Sequence, residues 1–112
     1  MVYQCLNPPH THKAPEVLFH IGIDPANPTE LGAEVEFYIG EEMESHVFSK
    51  STVIYIPAGV PHAPWRLLSI VRPFLFLEVN QEQTHSNTWR ADLLPEKERD
   101  KIDWSLWEGG VR

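Results

Sequence analysis

The sequence predicts an all-β fold, a sandwich or barrel of short antiparallel strands. Short β-branched and aromatic runs recur at regular spacing, and turns rich in proline and glycine separate them. Ten prolines in 112 residues favour turns and strand ends over long helices. The clearest pattern is in residues 33–40, where Val35, Phe37 and Ile39 alternate with polar side chains. This alternation is typical of a strand with one buried face.

The other predicted strands are shorter and equally separated by turns. In chain order, the predicted strands cover residues 2–6, 10–12, 16–21, 33–40, 45–49, 53–56, 65–71 and 74–79. Residues 22–32 contain two Asp-Pro or Asn-Pro steps between glycines, and we expect turns throughout them. The apolar strand 53–56 is expected to end at the Pro57-Ala58-Gly59 turn.

The composition changes after residue 80. Residues 81–88 are polar and predict a loop, and residues 94–102 begin with proline and acid and predict one short helix. We therefore expect a β-domain at 1–80 and a C-terminal extension at 81–112. Its tryptophans, Trp89, Trp104 and Trp107, are expected to pack the extension onto the β-domain. The alternative is that they anchor a partner subunit.

Potential metal ligands cluster near the start of the chain. In an extended strand His10 and His12 share a face, with their Cα atoms about 7 Å apart. Pro15 allows a turn, so that Glu16 can return on the next strand opposite the two histidines. Two imidazoles and one carboxylate outline a metal site. A further ligand is expected from the segment that ends at His62.

These two segments resemble the two motifs of the cupins, which are small antiparallel β-barrels of the jelly-roll type. The cupin motifs read G-x5-H-x-H-x3-4-E-x6-G and G-x5-P-x-G-x2-H-x3-N. Residues 10–16 (HTHKAPE) match the centre of the first, and residues 57–62 (PAGVPH) match the centre of the second. The resemblance implies an antiparallel cupin-type β-barrel with a short C-terminal helical tail. The metal ligands that it implies are His10, His12, Glu16 and His62.

Four positions depart from the cupin pattern, and none of them removes a ligand. Gln4 and Ser51 stand where each motif opens with glycine, Gly22 comes one residue early, and Arg66 replaces the closing asparagine. Little strand precedes His10, so a second subunit or the tail is expected to cover the open edge. We expect a homodimer, the commonest soluble oligomer.

Two residues are candidates for a catalytic role, His20 and Arg66. By strand parity His20 points inward, either towards a substrate or as a hydrogen-bonded interior histidine. Arg66 is able to clamp a substrate carboxylate, or is solvated on the rim. His46 is also expected to point inward by parity, and His85 to be exposed in the polar loop.

Charge and composition exclude several classes of partner. A formal net charge of −7 argues against nucleic acid and against an anionic membrane surface. No apolar stretch reaches the length of a membrane span. The single cysteine, Cys5, excludes an internal disulfide and is consistent with a cytoplasmic protein.

The expected function follows from the resemblance. Three imidazoles and one carboxylate suit one divalent ion of Fe, Mn, Ni or Zn, with positions left open for water or substrate. The resemblance implies a metal-dependent enzyme, of oxygenase, isomerase or decarboxylase type, that acts on a small polar or anionic organic molecule. The alternative is a cupin that binds or senses a small molecule without turnover.

Overall fold

The computed structural model describes residues 7–82 and 87–107 and shows an all-β protein with two antiparallel sheets. The predicted strand 2–6 and His85 lie outside the described residues. The strands are β1 (His10–Thr11), β2 (Glu16–Gly22), β3 (Glu30–Ile39), β4 (Glu44–Lys50), β5 (Thr52–Ile56), β6 (His62–Ile70), β7 (Phe74–Asn80) and β8 (Thr88–Trp89).

The two sheets face each other as the layers of a sandwich. The large sheet has the strand order β4-β3-β6-β1-β8, and the small sheet has the order β5-β2-β7. Every strand pair described in the two sheets is antiparallel. Within residues 7–82 and 87–107 no strand pairing joins one sheet to the other. The all-β prediction is therefore confirmed, with two open sheets as the observed arrangement.

The core lies between the sheets and is built from alternate residues of β3. Val35 and Phe37 are 0% and 2% exposed, as their period-two pattern predicts. Phe37 packs against Leu18 of β2 and Ile56 of β5, so these contacts hold the two sheets together. Burying one such side chain contributes about 1.5–3 kcal/mol to folding.

The prediction of turns throughout residues 22–32 is wrong at both ends. β2 extends to Gly22, and β3 begins at Glu30, so that Leu31 is fully buried in the core. A Cβ atom on Gly22 would collide with the backbone of Glu30, which explains why glycine stands at this close approach. Gly32 adopts a φ of +78°, and the register of β3 against β4 shifts in this stretch. Burial of Leu31 and pairing therefore override the local turn propensity.

Residues 87–107 form one strand and three short helical turns. β8 pairs with β1, so that Trp89 lies across from His10. Two 3₁₀-helices (Ala91–Leu93 and Trp104–Leu106) flank α1 (Glu96–Arg99). Leu94 and Ile102 form a small core with Met43, Trp104 and Trp107, so these residues of the segment pack on their own chain. The expected domain boundary at residue 80 stays a prediction. No helix in the described ranges is long and apolar enough to cross a membrane.

Candidate metal centre

Three imidazoles converge at one edge of the sandwich. The rings of His10 and His12 have centroids 4.7 Å apart, those of His10 and His62 are 4.4 Å apart, and those of His12 and His62 are 4.9 Å apart. One nitrogen from each ring lies within 4.8 Å of a nitrogen of both others. The three histidines are therefore close enough to hold one metal ion.

Strand register and one turn bring these histidines together. β1 lies between β6 and β8, and His10 is directly opposite His62. His12 follows β1, and its carbonyl oxygen accepts a hydrogen bond of 2.9 Å from the backbone N–H of Gly59. Gly59 has a φ of +78°, a conformation in which glycine carries no Cβ penalty. The Pro57-Ala58-Gly59 turn thus fixes both His12 and the start of β6.

Backbone carbonyls orient two of the rings. Nδ1 of His10 lies 2.9 Å from the carbonyl oxygen of Pro8, and Nδ1 of His62 lies 3.0 Å from that of Val60. Because a carbonyl oxygen can only accept, each Nδ1 carries the proton and donates it. Each Nε2 then keeps a lone pair, which is the form that binds a metal.

Glu16 contributes a carboxylate from the opposite sheet. It begins β2, is 3% exposed, and places Oε2 2.9 Å from Nε2 of His12. Its other oxygen, Oε1, lies 3.7 Å from Nε2 of His62. Glu16 is not part of the mutually close set of three histidines, but it contacts two of its members. The structure therefore brings together all four residues that the motifs suggested as ligands.

The protonation states of this cluster suit a metal ion. Burial, together with the neighbouring His62, lowers the pKa of His10 to about 3. Burial alone would raise the pKa of Glu16, but the hydrogen bond to His12 and the nearby imidazoles hold it below its usual value. A neutral imidazole beside an ionised carboxylate is the form in which these groups coordinate. The donor set thus fits a divalent transition metal.

A pocket of about 360 Å³ opens beside the cluster, between the two sheets. His10, Glu16 and His62 line one end of this pocket. Its remaining wall is mainly apolar and aromatic and includes Leu18, Phe37, Trp65, Phe76, Trp89 and Trp107. A small organic molecule in the pocket would lie directly against the candidate ligands.

His20 lies in the interior but does not line this pocket. Its side chain is fully buried, and both ring nitrogens have partners. The indole N–H of Trp65 donates to Nε2 at 3.0 Å, and Nδ1 donates to the carbonyl oxygen of Thr52 at 3.3 Å. Burial lowers the pKa of His20, and the bond to Thr52 opposes this shift. Of the two roles expected for His20, the structure matches the hydrogen-bonded interior histidine.

Arg66 is on the outer face of the large sheet, away from the pocket. Its guanidinium lies 3.9 Å from Glu36 and 3.6 Å from Glu98, and it stacks 5.7 Å above the ring of Tyr38. Because adjacent strand residues face opposite sides, the inward direction of Trp65 sends Arg66 outward. The structure therefore does not place Arg66 where it would clamp a ligand carboxylate.

His46 is on the expected side of its strand but is not covered. It pairs with Phe37 in the register between β3 and β4, and therefore shares its face. Its side chain is nevertheless 52% exposed and lies 3.0 Å from Glu44. β4 is the edge strand of the large sheet and pairs only with β3, which explains the exposure.

The aromatic wall is the part of the site that the sequence did not indicate. Trp65 is three residues after His62, and regular strand parity would place the two on opposite faces. An irregularity in the pairing of β6 with β3, near Ala63 with its φ of +82°, brings both to the inner face. Phe76 pairs with His20, so its inward direction follows from parity once the register is known.

Comparison with known proteins gives no relative. No protein-family model, no curated protein and no solved structure matches the chain significantly. The resemblance to cupins therefore rests on the two motifs.

Proposed function

We propose that this protein is a divalent-metal-binding cupin and that the bound metal makes it an enzyme acting on a small organic molecule. The observation that supports this most directly is the convergence of His10, His12 and His62 with the carboxylate of Glu16. The cluster adjoins a pocket large enough for a small ligand. The candidate ligands come from two antiparallel sheets that face each other, a layer arrangement that jelly rolls also have.

Three of the four residues have separable roles in this proposal. His10 and His62 present Nε2 to the ion, and their Nδ1–H bonds to backbone carbonyls fix the ring orientation. Glu16 supplies the one negative charge among the four ligands. Bound metal would supply Lewis-acid polarisation of a ligand oxygen, or a site for dioxygen.

Neither of the two residues expected as catalytic candidates lines the pocket. His20 is sealed behind Trp65, and Arg66 is on the outer face, so neither reaches a ligand in the pocket. The groups beside a ligand would therefore be the candidate metal ligands and Glu78, which also lines the pocket. Oxygenase, isomerase and decarboxylase reactions are the classes that the resemblance to cupins implies. The competing function is binding or sensing of the same molecule without turnover.

Metal loading followed by a turnover screen tests this proposal. The purified protein is stripped with a chelator, loaded in turn with Fe(II), Mn(II), Ni(II) and Zn(II), and its metal content is measured by elemental analysis. We expect one ion per chain with at least one of these metals. The loaded protein is then screened for oxygen uptake and for product formation with small phenols and organic acids. Stoichiometric metal without turnover would favour the binding function, and no metal at all would refute the proposal.

A further inference from the structure

Two aromatic rings of the pocket wall, those of Phe76 and Trp65, keep accessible surface. Phe76 is on the inner face of β7, since it pairs with the buried His20, yet 44% of its surface is accessible. Trp65 is partly exposed beside it, with the two ring centroids 5.6 Å apart. Because both rings line the pocket that holds the histidines, their accessible surface is available to a ligand.

Hydrogen bonding fixes the orientation of one of these rings. The indole N–H of Trp65 donates to Nε2 of His20, and His20 is held in turn by the carbonyl oxygen of Thr52. A buried ring with both polar contacts satisfied has little freedom to rotate. His20 is thus a positioning residue for the aromatic wall.

The charge of the pocket is unfavourable for a ligand with several carboxylates. Glu16 and Glu78 line it, and none of the described lining residues is lysine or arginine. Glu78 pairs with Leu18 on the inner face of β7, on the side of the pocket formed by the small sheet. A ligand carboxylate that extended from the metal towards this side would approach the like charge of Glu78.

We infer that the ligand is a small aromatic molecule of the phenol or catechol class, with its hydroxyl oxygen directed at the histidine cluster and its ring against Phe76 and Trp65. This inference rests on the proposed function and narrows its substrate class. It replaces the expectation of an anionic molecule. Arg66, the residue expected to clamp a substrate carboxylate, is on the outer face.

Calorimetric titration of the Zn(II)-loaded protein tests this inference without requiring turnover. Catechol is expected to bind at least about tenfold more tightly than malonate. Phe76→Leu should weaken catechol binding by about three- to tenfold, the usual value of an aromatic contact, with metal content unchanged. Tyr38→Leu is the matched control, because Tyr38 is an aromatic residue on the outer face beside Arg66 and should leave binding unchanged.

A second variant tests the charge argument separately. Glu78→Gln should strengthen malonate binding severalfold and leave catechol binding unchanged. Wild-type protein that takes up no zinc would refute the proposed function and the inference together. Zinc-loaded protein that binds malonate as tightly as catechol, or whose Phe76→Leu variant binds catechol normally, would overturn the inference alone.

An independent observation concerns the outer face of the small sheet. Strand register places eight apolar side chains on this face in three rows: Val17 with Tyr55 and Val79, Phe19 with Val53 and Leu77, and Ile21 with Leu75. Six of them are between 37% and 59% exposed. We call these eight residues the apolar face.

The area and the charge of the apolar face indicate which kind of partner packs against it. Eight roughly half-exposed apolar side chains present on the order of 600 Å² of accessible surface. A stable interface buries about 800 Å² of accessible surface on each partner. The face contains no charged side chain, whereas the chain as a whole carries a formal charge of −7. Two copies that packed through this face would therefore bring no carboxylates together. We propose that a second copy packs its apolar face against the first, sheet on sheet, about a two-fold axis.

Light scattering coupled to size exclusion measures the mass directly. The wild-type protein is expected at twice the chain mass at micromolar concentration. Leu77→Lys with Val53→Lys should give a monomer with unchanged metal content. Val47→Lys is the control, because Val47 is 54% exposed on β4 of the other sheet, and this variant should remain a dimer. A monomeric wild type, including one that binds lipid vesicles through this face, would overturn the proposal, as would a dimeric double-lysine variant.

Discussion

The backbone N–H of Gly59 donates a hydrogen bond of 2.9 Å to the carbonyl oxygen of His12. This bond joins the backbones of the two sequence motifs. His12 belongs to the first motif, and Gly59 opens the segment that leads to His62 in the second. The bond therefore couples the position of one candidate ligand to the turn that delivers another.

Replacing Gly59 should disturb the metal centre through the backbone. Gly59→Ala must adopt a φ of +78°, which costs about 1–2 kcal/mol, although no atom lies within 4 Å of the added Cβ. We expect a lower melting temperature and weaker metal binding. Gly59→Asn is the control, because asparagine tolerates the left-handed region. Its melting temperature and metal affinity should lie between those of the wild type and of Gly59→Ala. Equal metal affinity in all three proteins would show that the turn does not position the ligands.

Removing a candidate ligand should abolish metal-dependent stabilisation. Metal at 100 times its Kd stabilises a folded protein by about 2.7 kcal/mol, which raises the melting temperature by roughly 10 °C in a domain of this size. His12→Ala and His62→Ala should lose most of the bound metal and most of this increase. Thermal melts with and without metal provide the measurement.

His46→Ala serves as the control for those variants. Its side chain is exposed and paired with Glu44, outside the cluster of three histidines. Metal content and the metal-induced increase in melting temperature should match the wild type. Retention of a full complement of metal by both ligand variants would contradict the assigned site.

The contact between Trp65 and His20 should be measurable by a double-mutant cycle. Trp65→Phe leaves the buried Nε2 of His20 without its indole donor, which costs about 1–3 kcal/mol. His20→Leu removes the acceptor instead. If the hydrogen bond stabilises the fold, the double variant should lose less free energy of unfolding in urea than the two single variants summed. If the free-energy losses of the two single variants are additive in the double variant, the hydrogen bond contributes nothing to stability.

Acid is expected to destabilise the metal-free protein. Burial holds the pKa of His10 at about 3 in the folded state, against an ordinary 6.5, and it also lowers the pKa of His20. The unfolded state therefore binds more protons, so this stabilisation is complete above about pH 6.5 and is lost as the pH falls towards 3. Glu16, with its lowered pKa, adds a loss below its ordinary value of 4.5.

Urea denaturation of the chelated protein between pH 7.5 and 4 measures this dependence. The free energy of unfolding should fall across the range. His10→Asn should flatten the slope between pH 6.5 and 4, because asparagine does not titrate, whereas His46→Asn should leave it unchanged. The same slope in His10→Asn and in the wild type would show that His10 is not the group responsible.

Local spacing was enough to predict most of the described strands and the approach of His10, His12 and His62, because both depend on short-range geometry. The alternation of Val35 and Phe37 encodes the buried face directly. The H-x-H-x3-E spacing encodes a strand, a turn and a return to the opposite sheet. These features require no knowledge of which strand lies beside which.

The wall of the pocket could not be predicted in the same way. The direction of Trp65 depends on the irregular pairing near Ala63, and the exclusion of Arg66 from the pocket follows from it. The burial of Leu31 depends on the pairing of β3, which overrides the turn residues around it. Such features depend on which strands pair and in which register. This pairing cannot be predicted from neighbouring residues in a single sequence.

β1 consists of two residues and lies between β6 and β8, so His10 has His62 on one side and Trp89 on the other. The strand β8, which pairs with His10 on the outer side, comes from the last quarter of the chain. Any force that detaches β8 leaves His10 on a bare sheet edge. Because coupled equilibria are reciprocal, an ion that tightens the histidines also tightens the attachment of β8. We therefore expect β8 to be thermodynamically coupled to the candidate metal centre, although it supplies none of the candidate ligands.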